Sequence, residues 1–479
     1  MKGNSLTVGM IRPDAPPSLA PGSAVNRLVP LDLRYCAALL EKKGYRTVEL
    51  DGLIDPLPPR SLTNWAKVVR PVVALFSIRR FQHVDLKRLF AMTAALKKGA
   101  DVKIIATGPF PSFYPESFLG EGRFDAVILG EPEAAIVQAV AAYAKGKTPS
   151  VAGVVTDPDH NKMPVFVKNV NDLPSPIRYS KDLTDYYCNY PLRINTKAVW
   201  GSILAGRGCG QGCVFCSPFD RITFSKKVRP RKIQHIIAEA KALAAMGVNV
   251  LSFEDDDPTF NPDRTEELTE ALSGVKASYI LHARVDELSD PILRRLAASG
   301  CALIKMGVES GSPYIINRLK KGDGATWREK TIHFARRAKE LGIVTCGLFI
   351  IGCAGETEKD LAKTQSLMHE ADFDLIQIHY FTPYPGSPIH EKLSVEMPAE
   401  QAAALYHYDP DTLSRISMSP LPSKQIARWG KRMFRSFVLR PSFAANHLRH
   451  FGRFYLHNPE TFLRLAGGLQ PNSKKPSRS

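Results

Sequence analysis

The sequence predicts an α/β protein: an N-terminal doubly wound domain, then a partial (β/α) barrel of the TIM type, then a helical C-terminal extension. Three observations predict it. Short apolar runs alternate with amphipathic stretches over the first 150 residues, a second α/β series begins near Val199, and the pattern turns helical from about residue 396. At 479 residues the chain exceeds one ordinary core, so several domains are expected. A composition of 44% hydrophobic and 23% charged residues describes a globular rather than a disordered chain.

In residues 1–150 the strand candidates are SLTVGMI (5–11), YRTVEL (45–50), VVALFSI (72–78), VKIIAT (102–107) and FDAVILG (124–130). Helix candidates lie between and after them at 31–44, 84–99 and 131–146. In the first, Leu33, Cys36, Ala37 and Leu40 keep the helical period and Gly44 ends it. Such alternation builds a parallel sheet that binds ligands at the carboxyl ends of its strands. Here those ends carry the Gly- and Pro-rich stretches PDAPPSLAPG (13–22), GPFPSFYP (108–115) and GEPE (130–133). Residues 151–195 are turn-rich and polar, which reads as a linker. In 196–395, strand-like runs at 198–206, 248–256, 302–310, 342–352 and 374–386 are spaced by helical segments, as a full or partial barrel requires. Residues 396–479 form a basic helical extension with a disordered end, NSKKPSRS.

The first residues lack an apolar stretch long enough for a signal peptide, and no apolar run reaches the roughly 20 residues of a membrane-spanning helix. Eight cysteines, scattered apart from one trio, do not form a disulfide framework, so reducing, cytoplasmic conditions are expected. Net charge is +17, with much of the excess near the C-terminus. There, IARWGKRMFRSFVLRPSFAANHLRHFGRFYLHNPETFLRLAGG (426–468) interleaves basic and aromatic residues. This pattern fits RNA binding, contact with a membrane surface, or an amphipathic helix docked on the barrel.

The trio stands in GRGCGQGCVFC (206–216), where Cys209, Cys213 and Cys216 follow a strand inside a Gly-rich loop. Structural zinc takes a fourth Cys or His, and the next histidine, His235, falls inside a predicted helix. A ferredoxin cluster takes four cysteines. Three thiolates on a [4Fe–4S] cluster instead leave one iron open to a small molecule. Buried cysteines clustered by chance would not need the surrounding glycines 206, 208, 210 and 212.

Cys-x3-Cys-x2-Cys after the first strand of an α/β barrel resembles the radical S-adenosylmethionine (SAM) superfamily. The resemblance implies that the open iron chelates SAM and that an electron from the cluster releases a 5′-deoxyadenosyl radical. It places Phe215 near the adenine. LSFEDDDPTFNPDR (251–264) resembles the second-strand motif, which makes Glu254, Asp255 and Asp256 candidates for the methionine amine. MGVESGS (306–312) resembles the fourth-strand motif, with Glu309 and Ser310 as ribose candidates. FIIGCAGET (349–357) resembles the fifth-strand motif, whose Gly352 would back the adenine, although Cys353 and Ala354 replace the commoner Leu-Pro. YFTPYPGSP (380–388) resembles the sixth-strand ending.

The N-terminal stretches ATGPFPSFYPESFL (106–119) and FDAVILGEPEAA (124–135) resemble the cobalamin-binding domain of the B12-dependent branch. Cobalamin contacts are accordingly expected at Gly108, Pro109, Ser112, Gly130 and Glu131. No Asp-x-His-x-x-Gly motif is present, and His83, the only histidine before residue 150, has the wrong context. Cobalamin would therefore bind without a protein imidazole. Methylthiotransferases, a related family, need a second cysteine trio before the barrel, where this chain has Cys36 alone before residue 150.

The expected function is thus a cobalamin-dependent radical SAM methyltransferase that carries a methyl group through methylcobalamin to an unactivated carbon. Its substrate would be small or lipid-like. Its partner would be an external one-electron reductant of flavodoxin or ferredoxin type, with nucleic acid not expected and peripheral membrane contact through the basic tail. A non-methylating cyclase or rearrangement enzyme (tetrapyrrole or hopanoid/lipid type) and an iron–sulfur electron-transfer protein are the alternatives.

Overall fold

Strands buried on both faces read as continuous apolar runs, and those runs become the N-terminal sheet. The structure, a computed structural model, describes residues 5–13, 26–78, 85–120, 123–159, 163–216, 227–392, 397–405, 416 and 418–468. Strands β1 (Thr7–Arg12), β2 (Arg46–Asp51), β3 (Val73–Ser77), β4 (Lys103–Thr107), β5 (Ala126–Ile128) and β6 (Val154–Val155) pair in the order β2-β1-β3-β4-β5-β6. All pairings are parallel except β5 with β6. Leu33, Cys36 and Leu40 of helix Leu31–Glu41 and Ile136 and Val140 of helix Ile136–Tyr143 pack in one core. Helices Pro59–Val69 and Leu86–Gly99 supply Leu62, Ala66, Leu89 and Leu96 to a second core against the same sheet. The sheet is therefore doubly wound, and its order reverses between β1 and β3, the crevice where such sheets bind ligands. Helix Pro59–Val69 escapes the sequence reading because Leu62 and Ala66 are its only buried residues.

The second sheet joins β7 (Trp200–Ile203), β10 (Val250–Phe253), β11 (Ser278–Arg284), β12 (Cys301–Glu309), β13 (Val344–Ile351) and β14 (Leu375–Tyr380), all parallel and in that spatial order. Between β7 and β10, a short antiparallel ribbon pairs β8 (Gly206–Arg207) with β9 (Arg229–Pro230). This is a partial barrel. Successive side chains alternate between two environments. Leu251, Phe253, Leu281, Ile304, Met306, Phe349 and Ile351 pack outward against the helices. Trp200, Val250, Ile280, Leu303, Val344 and Cys346 point inward. Strand β11 is missing from the sequence reading because its run is broken by His282 and Arg284.

The barrel floor is sealed from outside the barrel itself. Cys188, Tyr190 and Leu192 of the linker join the inner cluster together with Phe451 and Phe454 of helix Pro441–His457. Helix Ser423–Val438 packs on the outside through Ile426, Met433 and Phe437. Of the three readings of the tail, docking on the barrel is the one these contacts display. Residues 397–405 behave differently, for Met397, Ala399, Ala402 and Leu405 enter the N-terminal core. The linker is also more than a connector. Asp182 pairs with Arg34 at 3.0 Å, and the Tyr186 hydroxyl donates to Asp51 at 2.6 Å. Among the described residues, no helix is long and apolar enough to cross a membrane.

Phe454→Ala should cost about 3–5 kcal/mol in a denaturant titration, as expected for a buried aromatic that closes a core. Leu456→Ala, two residues away and 80% exposed, should stay within about 0.5 kcal/mol.

Candidate active site

The carboxyl ends of the two sheets meet across a buried ionic seam. Arg207 lies between Gly206 and Gly208, two positions before Cys209, and Gly208 has a left-handed φ of +89° that a side chain would resist. Arg207 reaches back to the N-terminal domain, donating from Nη2 to Glu133 Oε1 at 2.6 Å and lying 3.6 Å from Glu131 Oε2. Arg229 on β9 grips Glu131 with both nitrogens, at 2.6 and 2.8 Å. The Val167 amide donates to the same carboxylate at 2.6 Å. Burial alone would lower the Arg207 pKa, but Glu133 and Glu131 outweigh it and hold it above its ordinary value. The side chain of Glu131 is thus committed to the seam, and its backbone is paired as well, the amide donating to Val165 O at 2.8 Å and the carbonyl accepting from Ala134 N at 3.1 Å.

The other N-terminal candidates gather at the carboxyl ends of β4 and β5. Ser112 donates to Gly108 O at 2.7 Å and accepts from Gly130 N at 3.1 Å, tying the two ends together. A Cβ at Gly108 (φ +108°) would sit 2.4 Å from Ile78 O, and one at Gly130 (φ +86°) 2.3 Å from Val165 O, so both positions need glycine. Pro109 is buried beside them. His83 lies outside the described residues, as does most of PDAPPSLAPG.

The cysteine loop hangs on the barrel by backbone bonds, Val214 N to Leu319 O at 3.1 Å and Ile389 N to Val214 O at 3.0 Å. Cys209 and Cys213 are buried and Cys216 is half-buried. Arg284 Nη1 donates to Cys213 Sγ at 3.2 Å, and Cys209 Sγ is 3.6 Å from Asp257 Oδ2. A tetrahedral single-metal site would bring three such ligands to within about 4 Å of one another. Among the described residues no three His, Cys, Asp or Glu side chains are so gathered. A cuboid cluster, in which each thiolate takes a different iron, asks for wider spacing. The donor set fits it: three thiols on one loop, none in a disulfide, one of them already accepting from a cation. Asp257, overlooked in the sequence, belongs here. It shares a buried pocket with Glu287, which accepts from Gln211 at 3.0 Å and Thr259 at 2.9 Å. Burial and the neighbouring Asp257 push Glu287 up to about 8.

The three acids at the end of β10 separate by environment. Asp255 accepts from the amides of Ala205 (2.8 Å) and Gly206 (2.5 Å), pinning the start of the cysteine loop, and burial raises it to about 7. Glu254 is half-buried, and its Oε1 has no hydrogen-bond partner among the described residues. Asp256 is half-buried beside it. Glu309 has a left-handed φ of +63°, unusual for a non-glycine residue, and pairs with buried Lys321 at 2.9 Å. Ser310 spends its hydroxyl on Thr364 (3.0 Å) and Ser312 N (3.1 Å). Gly352 (φ +84°) donates its amide to Glu356 Oε2 at 2.6 Å, a buried acid the sequence reading missed. Phe215 packs against Ile315, Leu319, Ile350, Cys353 and Phe381.

These features define an α/β enzyme whose two ligand-binding sheet edges face one another over a thiol-bearing loop. A family model for the B12 binding domain matches residues 19–140, and one for the radical SAM superfamily matches 203–368. The chain thus carries a B12 binding domain and a radical SAM domain together, which imply cobalamin from the one and SAM with a [4Fe–4S] cluster from the other. An uncharacterized methyltransferase of Pyrococcus horikoshii is 25% identical over 438 residues, 88% of this chain and 91% of that protein. The tRNA-2-methylthio-N(6)-dimethylallyladenosine synthase of Chlorobium phaeobacteroides is 27% identical over 236 residues, 47% of this chain and 51% of its own. In fold, the radical SAM methyltransferase TsrM from Kitasatospora setae, solved with cobalamin and a [4Fe–4S] cluster, superposes with a TM-score of 0.67 at 15% identity, over 81% of this chain and 78% of that one.

Two outcomes follow from the charges. Arg207→Met strands Glu133 in a dry seam and should cost about 3–5 kcal/mol, with much of the loss recovered in Arg207→Met/Glu133→Leu, as a double-mutant cycle would read. Glu356 is pushed up to about 8, chiefly by burial. Its folded pKa exceeds the unfolded one, so its contribution is fully present below about pH 4.5 and is lost as pH rises towards 8. Glu356→Gln, whose amide oxygen can accept the same two N–H bonds, should flatten that decline in melts run from pH 5 to 8.

Proposed function

We propose that the protein moves a methyl group from SAM, by way of cobalamin, to an unactivated carbon of a small or lipid-like substrate. The observation that supports this most is the Arg207–Glu133 and Arg229–Glu131 seam, which sets the carboxyl edge of the N-terminal sheet against the cysteine loop. A methyl carrier on one edge and a radical source on the other would share a single substrate between them. When bound, the cluster supplies the electron that cleaves SAM, and cobalamin carries the methyl group.

In this reading Cys209, Cys213 and Cys216 hold the cluster. Arg284 and Lys321 place positive charge beside Cys213. The open carboxylate of Glu254 takes the methionine amine, while Asp255 keeps the loop in place beneath it. Glu309 faces the ribose, with Ser310 shaping the turn rather than lending its hydroxyl. The backbone at Gly352 and the ring of Phe215 flank the adenine. Gly108, Pro109, Ser112 and Gly130 line the cobalamin side. An external flavodoxin- or ferredoxin-type protein supplies electrons. Leu448 and Leu456, exposed beside Arg449 and Arg453, support peripheral contact with a membrane. Methylthio transfer is disfavoured because Cys36 is packed in a helix core, where burial raises its thiol well above the ordinary range.

With trideuteromethyl-SAM and a chemical reductant, the reconstituted enzyme should form 5′-deoxyadenosine and a product bearing the intact trideuteromethyl group. Cys209→Ala, Cys213→Ala and Cys216→Ala should each abolish 5′-deoxyadenosine. Cleavage that survives the triple substitution would remove the cluster assignment, and an unlabelled rearranged product would favour the non-methylating alternative.

A further inference from the structure

The inner wall of the barrel carries a cation that the chemistry above does not use. Lys305 shares the inward face of β12 with Leu303, its register partners are His282 on β11 and Cys346 on β13, and it is only 4% exposed. Its Nζ lies 5.4 Å from the centroid of the Tyr190 ring. Among the described residues it forms no ion pair and no hydrogen bond. Lysines are almost never buried without an anionic partner, because the desolvated charge is costly and a ring face offsets only part of it.

Among the described residues, no group packed around Lys305 supplies the missing charge. Glu254 shares the inner wall but is not paired with Lys305. Burial raises the thiols of Cys188 and Cys346 to about 12, so both stay neutral. Burial, with Lys305, Lys321 and His379 behind it, keeps the His282 imidazole uncharged. Asp374 is held by Arg193 at 3.3 Å and by the Thr345 amide at 3.0 Å. The surroundings instead offer a hydrogen-bond donor, since neutral His282 carries one N–H. Gln377 donates to the Tyr190 hydroxyl at 3.1 Å, which holds the ring in place below Lys305. His282, Leu348, Gln377 and His379 all keep part of their surface accessible although they face the barrel interior, so this level of the barrel is a hollow rather than a packed core. Below it lies the apolar floor of Ile280, Leu303, Val344, Phe451 and Phe454, and above it the cysteine loop.

We propose that Lys305, with His282 beside it, anchors a carboxylate of the methyl acceptor inside the barrel. One ammonium flanked by a neutral donor matches a single negative charge, and a phosphate dianion would call for a second free cation. The substrate class is therefore a carboxylic acid whose apolar part rests on the floor and whose reacting carbon rises towards the cofactors. This inference rests on the methyl-transfer reading.

The test uses the reconstituted holoenzyme with trideuteromethyl-SAM and a small-molecule extract of the source cells, in wild type and in Lys305→Met and Lys305→Gln. The labelled product should fragment in negative-ion mass spectrometry with loss of carbon dioxide. Both variants should raise its KM about 100-fold or more, the scale expected when a buried charge pair loses one partner. Their affinity for S-adenosylhomocysteine, which keeps the amino-acid carboxylate of SAM, should stay within about threefold of wild type. Without substrate the variants should melt at the wild-type temperature or above, because the substitution removes an unpaired buried charge, and a lower melting temperature would mark Lys305 as structural. A labelled product without an acid group, an unchanged KM, or an S-adenosylhomocysteine affinity that falls with the lysine would each overturn the proposal, the last by assigning the anchor to SAM. No labelled product in wild type would defeat the methyl-transfer reading first and this inference with it.

Discussion

The buried seam of Arg207, Arg229, Glu131 and Glu133 is the interaction on which the rest of the structure depends. Its side chains are at most 10% exposed, so the four charges answer mainly to one another and to backbone groups such as Val167 O, 2.7 Å from Arg229. Buried ion pairs add little net stability over apolar packing, but they tolerate only one arrangement. Here that arrangement joins the last strand ends of one sheet to the first loop of the other. Because Arg207 sits two residues before Cys209, the same bonds that dock the domains also fix where the cysteine loop begins. Domain docking and cofactor geometry are one constraint.

Within the barrel, the division of labour follows the alternation of strand side chains. Outward positions are dry and apolar and lock the helices in place. Inward positions change with depth, from the aromatic and aliphatic floor, through the polar level of His282, Lys305 and Gln377, to the acids and cations at the cysteine loop. This last level also carries backbone strain, where Glu309 takes a left-handed backbone at the end of β12 and its side chain pairs with Lys321. The floor frees the upper levels to be polar, since Phe451 and Phe454 exclude water from below and let the interior remain hollow where a substrate would enter.

Most of the fold was legible because its strands are buried on both faces. VALFS in β3 and the runs of β12 and β13 could hardly be anything else. Strand β11 was illegible because His282 and Arg284 replace the inward apolar residues that would have revealed it. The cysteine trio, the acids after β10 and the turn at Glu309 were readable from local motifs. Arg207 was not, because its partner Glu133 lies 74 positions away, and nothing local distinguishes it from any basic residue in a loop. Glu131 was singled out for cobalamin, yet its side chain serves the seam. Asp257 and Glu356 were passed over since their importance comes from burial, which a single sequence does not disclose.

The most direct measurement is the cobalamin content of anaerobically purified protein, produced in cells supplied with cobalamin, alongside its iron and sulfide. One cobalamin per chain together with one [4Fe–4S] cluster is the predicted result, and it would place both cofactors on the facing edges that the seam holds together. A full cluster with no cobalamin would contradict that result, leaving the radical chemistry in place and removing the methyl carrier on which the proposed function depends.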